Sequence, residues 1–284
     1  MTPQFTNQLI SSFILWLDNL ILKKGSAYTN VGYKFYDVSD IYNPYKTYAS
    51  PFGQFVADSS ITGATIISGV YLNNSFLTTG QSGFIGIDYN RGRVYFNTNI
   101  TGTLSGNYAI KDFNIVLTDK PEEVILFETK YSVRPKTNQT ITGLNEDQFN
   151  YPIIFVKNNG GQNEPLAFGG MDTTNIDIRL IIMTDSLFTL DAICSILKDS
   201  NRLYIPLISA QEMPFNALGG FKSGSYNYNS LISGKIDNQL ATYITNVYVS
   251  KYQQNTYQEI RNINPTVYTA LVDYATETYR FPRL

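Results

Sequence analysis

Three segments with different hydrophobic periods follow one another in residues 176–208. In 176–183, apolar residues first alternate with polar ones and then become continuous, which predicts a strand that runs into a core. Apolar residues recur at helical spacing in 187–197, and the polar side chains of 184–186 are of types that cap a helix start. A second short strand is predicted for 203–208. The chain therefore contains a strand, a helix and a strand with short connections, which is a scaffold without chemistry of its own.

The N-terminal segment 5–22 carries apolar residues three and four positions apart, which predicts an amphipathic helix. Asp18 and Asn19 interrupt the apolar pattern, and the segment is short for a membrane span and lacks the basic leader of a signal peptide. Two lysines and a glycine follow it, as is common at the end of a helix. We expect this helix to dock on the core or on a neighbouring subunit rather than to lie on a membrane surface.

Short predicted strands separated by turn-forming residues fill 61–134. The predicted strands are 69–72, 75–77, 84–88, 93–97, 107–118 and 123–131. The pair Asn73-Asn74 is expected at a hairpin turn, because asparagine tolerates the left-handed backbone conformation. The preceding segment 27–60 is rich in Tyr, Pro, Asn and Ser and is predicted to be an ordered but irregular connection. Regularly spaced short strands indicate a sandwich- or barrel-like β module.

One of these predicted turns carries Asp88, Asn90 and Gly92 at the spacing with which a calcium-binding loop begins. Arg91 and Arg93 stand where further acidic ligands are needed, and no glutamate closes the loop. We therefore interpret the segment as a hairpin turn, and no metal site is predicted.

Beyond a polar boundary near residue 134, one short apolar strand at 152–156 is followed by a glycine-containing loop at 157–174. Two long strands are predicted at the end of the chain, at 239–252 and 267–279.

Between the central helix and these long strands, 209–238 is rich in glycine and aromatic residues. A structureless loop of that length is unusual inside a compact domain. The segment is interpreted either as an arm that orders on a neighbour or as an internal β-excursion packed on its own domain, and both interpretations remain open.

Together these patterns predict a β-rich α+β protein. We expect an N-terminal amphipathic helix in 1–26, a hairpin-rich β module in 27–134 and an α/β domain in 135–284. The sheet of the last domain is expected to be mainly antiparallel and to carry one principal helix, with 209–238 as its long arm.

The 284-residue chain has 22 Tyr and 17 Phe, and 15% of its residues are charged, where soluble proteins average about 25%. Tyrosine supplies a large contact area at low entropic cost, so this composition suits protein–protein contact, although Tyr and Asn also populate strands and turns. The net charge of −2 and the lack of a Lys/Arg-rich block disfavour broad nucleic-acid binding. Because Cys194 is the single cysteine, no internal disulfide can form. It lies on the predicted buried face of the central helix.

The chain contains no histidine. Serine–histidine and cysteine–histidine catalysis, the usual zinc sites and a near-neutral imidazole switch are therefore excluded. The remaining candidates are three carboxylate pairs, Asp185 with Asp191, Glu122 with Glu123, and Glu146 with Asp147. Helix capping or solvation accounts for each of them, and we expect neither enzymatic activity nor a cofactor.

In its layout the chain resembles virion structural proteins of tailed bacteriophages. The short N-terminal helix, the hairpin-rich aromatic insertion and the small α/β domain carry the resemblance, which is sharpest over 152–208. The chain is most similar to proteins of the neck, where head-to-tail connectors and tail terminators form rings. The resemblance implies a tail-terminator-like domain in 135–284 and a ring-forming subunit, often sixfold or twelvefold, that stops tail growth or joins the tail to the head.

Under this resemblance, the partners are other copies of the chain and neighbouring neck or tail proteins. Neither a membrane nor a sequence-specific nucleic acid is expected as a partner, although DNA can pass through the lumen of such a ring. The expected location is the virion, which is assembled in the host cytoplasm. The candidate subunit-interface residues are aromatic side chains of the N-terminal helix and the long arm, namely Phe13, Trp16, Phe215, Phe221, Tyr226 and Tyr228.

A receptor- or glycan-binding appendage protein with an aromatic β-sandwich is the alternative function. Exposed Tyr and Trp platforms with Asn and Asp partners would support it. The single tryptophan, Trp16, lies in the predicted N-terminal helix, which weakens this alternative.

Overall fold

The computed structural model describes residues 4–38, 45–128, 131–132, 149–166, 170–214, 224–238, 240–252 and 267–281. In these ranges the chain has a long N-terminal helix, several antiparallel sheets and a C-terminal sheet with one principal helix packed on it. The predicted β-rich α+β class is confirmed.

The helices are α1 (Phe5–Lys24), α2 (Leu187–Lys198) and α3 (Tyr228–Ile232), and Val124–Glu128 forms a π-helical segment. The strands of the N-terminal half are β1 (Tyr28–Lys34), β2 (Tyr36–Val38), β3 (Lys46–Ala49), β4 (Val70–Leu72), β5 (Ser75–Leu77), β6 (Phe84–Asp88), β7 (Arg93–Phe96), β8 (Leu104–Lys111) and β9 (Asn114–Leu117). The strands of the C-terminal half are β10 (Tyr131–Ser132), β11 (Phe149–Asn150), β12 (Ile153–Pro165), β13 (Asp172–Thr184), β14 (Tyr204–Pro206), β15 (Ala241–Lys251) and β16 (Tyr268–Arg280).

Two four-stranded antiparallel sheets make up the β module, in the orders β1-β8-β4-β5 and β2-β3-β7-β6. The hairpin predicted at Asn73-Asn74 is confirmed, because β4 pairs with β5 and the two asparagines have φ angles of 48° and 69°. The hairpin of β6 and β7 is confirmed as well. In its turn, a carboxylate oxygen of Asp88 accepts the backbone N–H groups of Asn90 and Arg91, so this acid stabilises the turn itself.

Aromatic side chains from both sheets form the core of the β module. Tyr108 of β8 stacks on Phe35 with ring centroids 5.3 Å apart and contacts Phe55 at 4.7 Å. Phe96 of β7 packs against Phe84 at 5.3 Å. All five are buried, and burying one such side chain stabilises a fold by about 1.5–3 kcal/mol.

The largest sheet has six strands in the order β14-β15-β16-β13-β12-β9, and its neighbours are antiparallel except for the parallel pair of β12 and β9. The strand β9 follows β8 after Asp112 and Phe113, although β8 belongs to the β module. The chain therefore passes directly from the module into the large sheet. The boundary expected near residue 134 falls within 133–148, outside the described residues.

Helices α1 and α2 cover one face of the six-stranded sheet, which we call the inner face. Phe13 and Trp16 of α1 pack edge-on against Tyr274 of β16, with ring centroids 5.2 and 6.1 Å apart. The Tyr274 hydroxyl lies 2.9 Å from the hydroxyl of Ser200, just beyond α2. On the opposite, outer face, the π-helical segment covers one end of the sheet through a separate apolar cluster.

Buried polar side chains of α1 form an ion pair and hydrogen bonds with the β module and with the segment before α3. The Asp18 carboxylate forms an ion pair with the Lys111 ammonium at 2.7 Å and accepts a hydrogen bond from the Tyr226 hydroxyl at 3.2 Å. The Asn19 amide donates to the Asp58 carboxylate at 2.7 Å. Burial raises the pKa of Tyr226 well above its ordinary value, so its hydroxyl stays protonated and continues to donate. Of the two placements expected for this helix, the structure shows docking on the core, and the two polar residues that interrupt its apolar pattern contribute to it.

The described parts of the predicted arm, 209–214 and 224–238, pack on their own chain. The backbone of Tyr226 forms a parallel bridge with Asp58, and the Tyr228 N–H donates to the Asp58 carboxylate at 3.0 Å. The preceding residues 215–223 lie outside the described part. Where the structure describes it, this segment is therefore an internal excursion.

The strand predicted for 123–131 is wrong, because Val124–Glu128 is π-helical. The Ile125 N–H donates to the carbonyl of Pro121 at 3.2 Å, so a proline stands in the first turn, where its missing N–H costs nothing. Consecutive apolar residues do not by themselves distinguish a strand from a buried helical turn.

Two further segments contain strands where none was predicted. The irregular connection predicted for 27–60 contains β1, β2 and β3, which find their partners in β8 and β7. The loop predicted for 157–174 is a strand over 157–165, where the polar continuation of β12 pairs with β13. A bulge between Asn158 and Gly161 accommodates the glycines. In each case long-range backbone pairing overrides a local sequence that is polar or turn-rich.

A bulge in β15 changes which side chains share a face. Uninterrupted alternation would place Tyr243 and Val247 on the same side of the sheet. Instead, the register with β16 shifts between Ile244 and Asn246. Tyr243 therefore lies on the outer face, whereas Val247 lies on the inner face with the core.

None of the helices in the described ranges combines the length and the apolar character that crossing a bilayer requires.

Candidate subunit interface

The aromatic residues predicted for a subunit interface lie inside the chain wherever the structure describes them. The four described residues are Phe13, Trp16, Tyr226 and Tyr228. Their exposed fractions are 0%, 7%, 8% and 3%, in that order, and all four belong to the chain's own core. The remaining two, Phe215 and Phe221, lie outside the described residues. The four described residues are therefore part of the core and not of the exposed surface.

The candidate carboxylate pairs do not converge on a catalytic site in the described ranges. Asp191 forms an ion pair with Lys251, and Asp185 is exposed at the start of α2. Glu146 and Asp147 lie outside the described residues. No group of three or more His, Cys, Asp or Glu side chains in the described part of the chain is placed to hold a metal ion.

Arg179, on the outer face, holds two carboxylates. Its Nε and Nη2 donate to the two oxygens of Asp273 at 2.6 and 3.0 Å, and its Nη1 donates to Glu122 at 2.6 Å. These hydrogen bonds raise the pKa of the guanidinium above its ordinary value. Glu122 therefore ties the beginning of the π-helical segment to the sheet, which is a structural role.

Exposed tyrosines occupy the outer face near β14 and β15. Tyr204 and Tyr243 stand opposite each other in the β14–β15 pair, with ring centroids 5.1 Å apart. Tyr248 is 62% exposed and Tyr279 is 55% exposed. A tyrosine-rich surface of this kind is typical of protein–protein contacts.

One edge of the six-stranded sheet is open along residues 245–250 of β15. In the described part of the chain, β14 pairs with β15 over 241–243 alone, while β16 occupies the other side of β15. The outward backbone N–H and C=O groups of 245–250 therefore face no described strand. Such a row of groups is a template on which another strand can pair.

A second open edge lies on the opposite side of the same sheet. Among the residues that the structure describes, β9 pairs with β12 over 153–156, and beyond this point 157–165 has a strand partner on one side alone, namely β13. The exposed side chains of this second edge are polar, from Asn158 to Glu164. The sheet thus has two different open edges facing away from each other.

A pocket of about 690 Å³ opens where β9 ends, beside the open edge of β12. Apolar side chains line it from four different elements: Ile10 of α1, Val116 of β9, Ile125 of the π-helical segment and Phe155 of β12. Leu117 lines it as well and is 56% exposed. A concave apolar site with polar groups around it suits one large apolar side chain or a small ligand.

Phe188, in the first turn of α2, is 84% exposed, which is the largest value among the large apolar side chains that the structure describes. Its neighbour Leu187 is 49% exposed. Asp191 lies three positions further on the same side of the helix and pairs with Lys251 at the end of β15. Phe188 therefore projects on the flank of the sheet that carries the β15 edge.

Sequence reasoning did not select Phe188 or the pocket. The buried stripe of α2 consists of Leu190, Ile193, Cys194 and Leu197. An aromatic residue outside that stripe was the signal that could have identified Phe188. The pocket joins segments that are far apart in the chain, so no local pattern indicates it.

No protein-family model matches this chain, and comparison with curated proteins finds no matching sequence. The functional conclusion therefore rests on the two open edges, the pocket and the exposed phenylalanine.

Proposed function

We propose that this protein is a structural subunit that assembles with copies of itself through two different sides of its six-stranded sheet. The observation that carries the proposal is the pair of open edges on opposite sides of the sheet, 245–250 in β15 and 157–165 in β12. When the β15 edge of one copy pairs with the β12 edge of the next copy, the first copy still has an open β12 edge and the second still has an open β15 edge. A contact of this heterologous kind repeats from copy to copy, and it forms a ring when the rotation between copies closes.

The strand directions favour this arrangement. Each of the steps from β15 to β16, β13 and β12 is antiparallel, so β15 and β12 run in opposite directions within one copy. When neighbouring copies are related by rotation about an axis along the strands, these two edges meet in antiparallel orientation. Antiparallel pairing is slightly more stable per residue than parallel pairing.

Each open edge also carries or adjoins a bulge, which is a device that proteins use to prevent indiscriminate strand pairing. A specific contact between copies is therefore expected to depend on side chains as well as on the main chain.

Within this assembly role, we propose a ring at the neck or tail of a tailed phage, as a tail terminator or a head-to-tail connector, located in the virion. The layout of the chain supports this placement, as do the low fraction of charged residues and the exposed tyrosines of the outer face. The expected partners are other copies and neighbouring neck or tail proteins. The glycan-binding alternative has less support, because Trp16 is 7% exposed in the core and offers no ring face to a sugar.

The mass of the purified protein in solution tests the proposal. Size-exclusion chromatography with light scattering should give an integer multiple of 32.0 kDa, and negative-stain images should show closed rings. Tyr248→Lys, at an exposed position beside the β15 edge, should weaken assembly, because lysine on an edge hinders strand pairing.

The matched control is Ile85→Lys, at a position that is 38% exposed and lies on β6 in the β module, and this variant should assemble like the natural protein. A natural protein that stays monomeric up to its highest soluble concentration would contradict the proposal.

A further inference from the structure

We infer that Phe188 of one copy inserts into the apolar pocket beside β9 and β12 of the next copy, and that this contact anchors the ring. The inference rests on the self-assembly proposed above and names the side chains that would make it specific. The occupant of the pocket is a segment of a second copy, the start of α2.

The exposed phenylalanine and the pocket lie within a few residues of the same level along the strands. One row of paired residues that crosses the sheet consists of Lys251, Ala270, Ile182, Ile154 and Ile115. At one end of this row, Lys251 pairs with Asp191 of α2, one turn from Phe188. At the other end, the next two residues of β9, Val116 and Leu117, line the pocket. A second copy that is placed beside β15 and displaced by a few residues along the strands brings its pocket to the level of Phe188. The same displacement sets its open edge 157–165 opposite 245–250.

The pocket lies at the edge of the sheet, between α1 on the inner face and the outer-face residues Val116, Ile125 and Phe155, so one of its walls lies on the face that carries Phe188. Phe188 is on α2, which packs on the inner face, and one wall of the pocket is the first turns of α1, including Ile10, which pack on that face as well. A sheet that continues from copy to copy keeps its inner faces on one side. Helix α2 of one copy therefore meets the beginning of α1 of the next.

The size of the pocket suits the apolar side chains at the start of α2. A phenylalanine side chain buries about 150–250 Å², and a pocket of about 690 Å³ has room for Phe188 together with Leu187. Asp185 is exposed three residues before Phe188, and the pocket is lined by Lys120 and by Asp119. These charges favour an orientation that brings Asp185 toward Lys120 and keeps it away from Asp119.

Phe188 is expected to be a hot spot rather than the whole interface. A stable interface buries about 800 Å² on each partner, several times the area of one phenylalanine. The edge strands supply the remaining contact, while a buried aromatic anchor at a well-packed centre dominates the affinity.

Two single variants test the two halves of this contact separately. Phe188→Asp removes the inserted side chain, and Leu117→Asp places a charge at the pocket. Each should weaken self-association at least about 30-fold in sedimentation-velocity measurements, as expected for an interface hot spot. Both positions are exposed, at 84% and 56%, so the thermal unfolding of a dilute sample should be unchanged.

The matched control is Phe76→Asp, which introduces the same charge at a 47%-exposed phenylalanine of β5, in the β module. This variant should assemble like the natural protein.

A mixture of the two defective variants gives the sharper test. The Phe188→Asp protein keeps an intact pocket, and the Leu117→Asp protein keeps an intact Phe188. An equimolar mixture should therefore form a complex of twice 32.0 kDa and stop there, because the remaining pocket and the remaining side chain are both defective.

The outcomes separate this inference from the proposed function. If the natural protein assembles and Phe188→Asp assembles equally well, the insertion is wrong while self-assembly stands. If each variant is defective but the mixture yields monomers alone, Phe188 does not occupy this pocket. If the natural protein itself never assembles, both proposals fall.

Discussion

Cys194 lies on the face of α2 that packs against the six-stranded sheet, and 5% of it is exposed. Burial raises the pKa of its thiol to about 11. Because the thiolate is the reactive species, alkylation by iodoacetamide at pH 8 should be about 100-fold slower than for an unhindered cysteine. The rate should rise about tenfold with each pH unit as the thiolate population grows. Rapid labelling of the folded protein at pH 8, followed by mass spectrometry, would contradict this prediction; the control is the urea-unfolded chain, which should react at the ordinary rate.

The orientation of single side chains could be predicted where alternation is unbroken. In β13, Ile178 is buried and Arg179 points to the outer face, as the alternating pattern indicates. In β15, the bulge between Ile244 and Asn246 reverses the alternation partway along the strand. A bulge depends on the pairing of two strands, so the sequence of one strand does not reveal it.

At the scale of elements, α1 shows which features of a helix its sequence predicts and which it does not. Its extent was predicted from apolar spacing and from the lysines and the glycine that follow it, and its docking was predicted to be either on the core or on a neighbouring subunit. The roles of Asp18 and Asn19 were not, because their partners Lys111 and Asp58 come from distant parts of the chain. A polar residue on an apolar stripe is the available signal, but it does not name the partner.

The buried ion pair is expected to be a major determinant of how α1 is held. Asp18→Asn leaves the Lys111 ammonium buried without its counter-charge. Lys111→Met likewise leaves the Asp18 carboxylate buried without its counter-charge. Each change should lower the free energy of unfolding by about 3–5 kcal/mol in urea titrations. The double variant should lose less than the sum of the two, because neither uncompensated charge remains.

An exposed ion pair provides the comparison for these variants. Glu212 pairs with Lys235 and has a side chain that is 47% exposed. Glu212→Gln should change the free energy of unfolding by less than about 1 kcal/mol, since solvent screens such pairs. A loss for Asp18→Asn no larger than that for Glu212→Gln would show that the buried pair does not hold α1.

At the scale of the whole molecule, the candidate interface is dominated by main-chain groups and apolar side chains. Its proposed anchor is Phe188, and the chain carries a net charge of −2. Assembly should therefore persist in about 0.5 M NaCl, where the interactions of exposed charges are largely screened. Ammonium sulfate should strengthen it, because sulfate favours the burial of apolar surface. Light scattering across both salt series checks this, and dissociation by NaCl would indicate a contact based on surface ion pairs instead.

The sequence predicted the class of the molecule and most of the long elements, but not how they join. Apolar periods identified α1, α2, β13, β15 and β16, whose patterns are long and local. The order of strands was not predictable, because β9 lies two residues from β8 and yet pairs with β12, far along the chain. The pocket was missed for the same reason, since its walls come together only when that pairing forms.

Asp112 and Phe113 alone separate β8 of the β module from β9 of the large sheet, so this connection is short. A mechanical load applied to the module would reach the sheet through this two-residue bend and through the buried ion pair of α1. The β module and the large sheet would then rotate together as one rigid body, without a hinge between them. In the ring proposed above, tilting one subunit would then impose torque on its neighbours, and the ring would respond to a load as a single body.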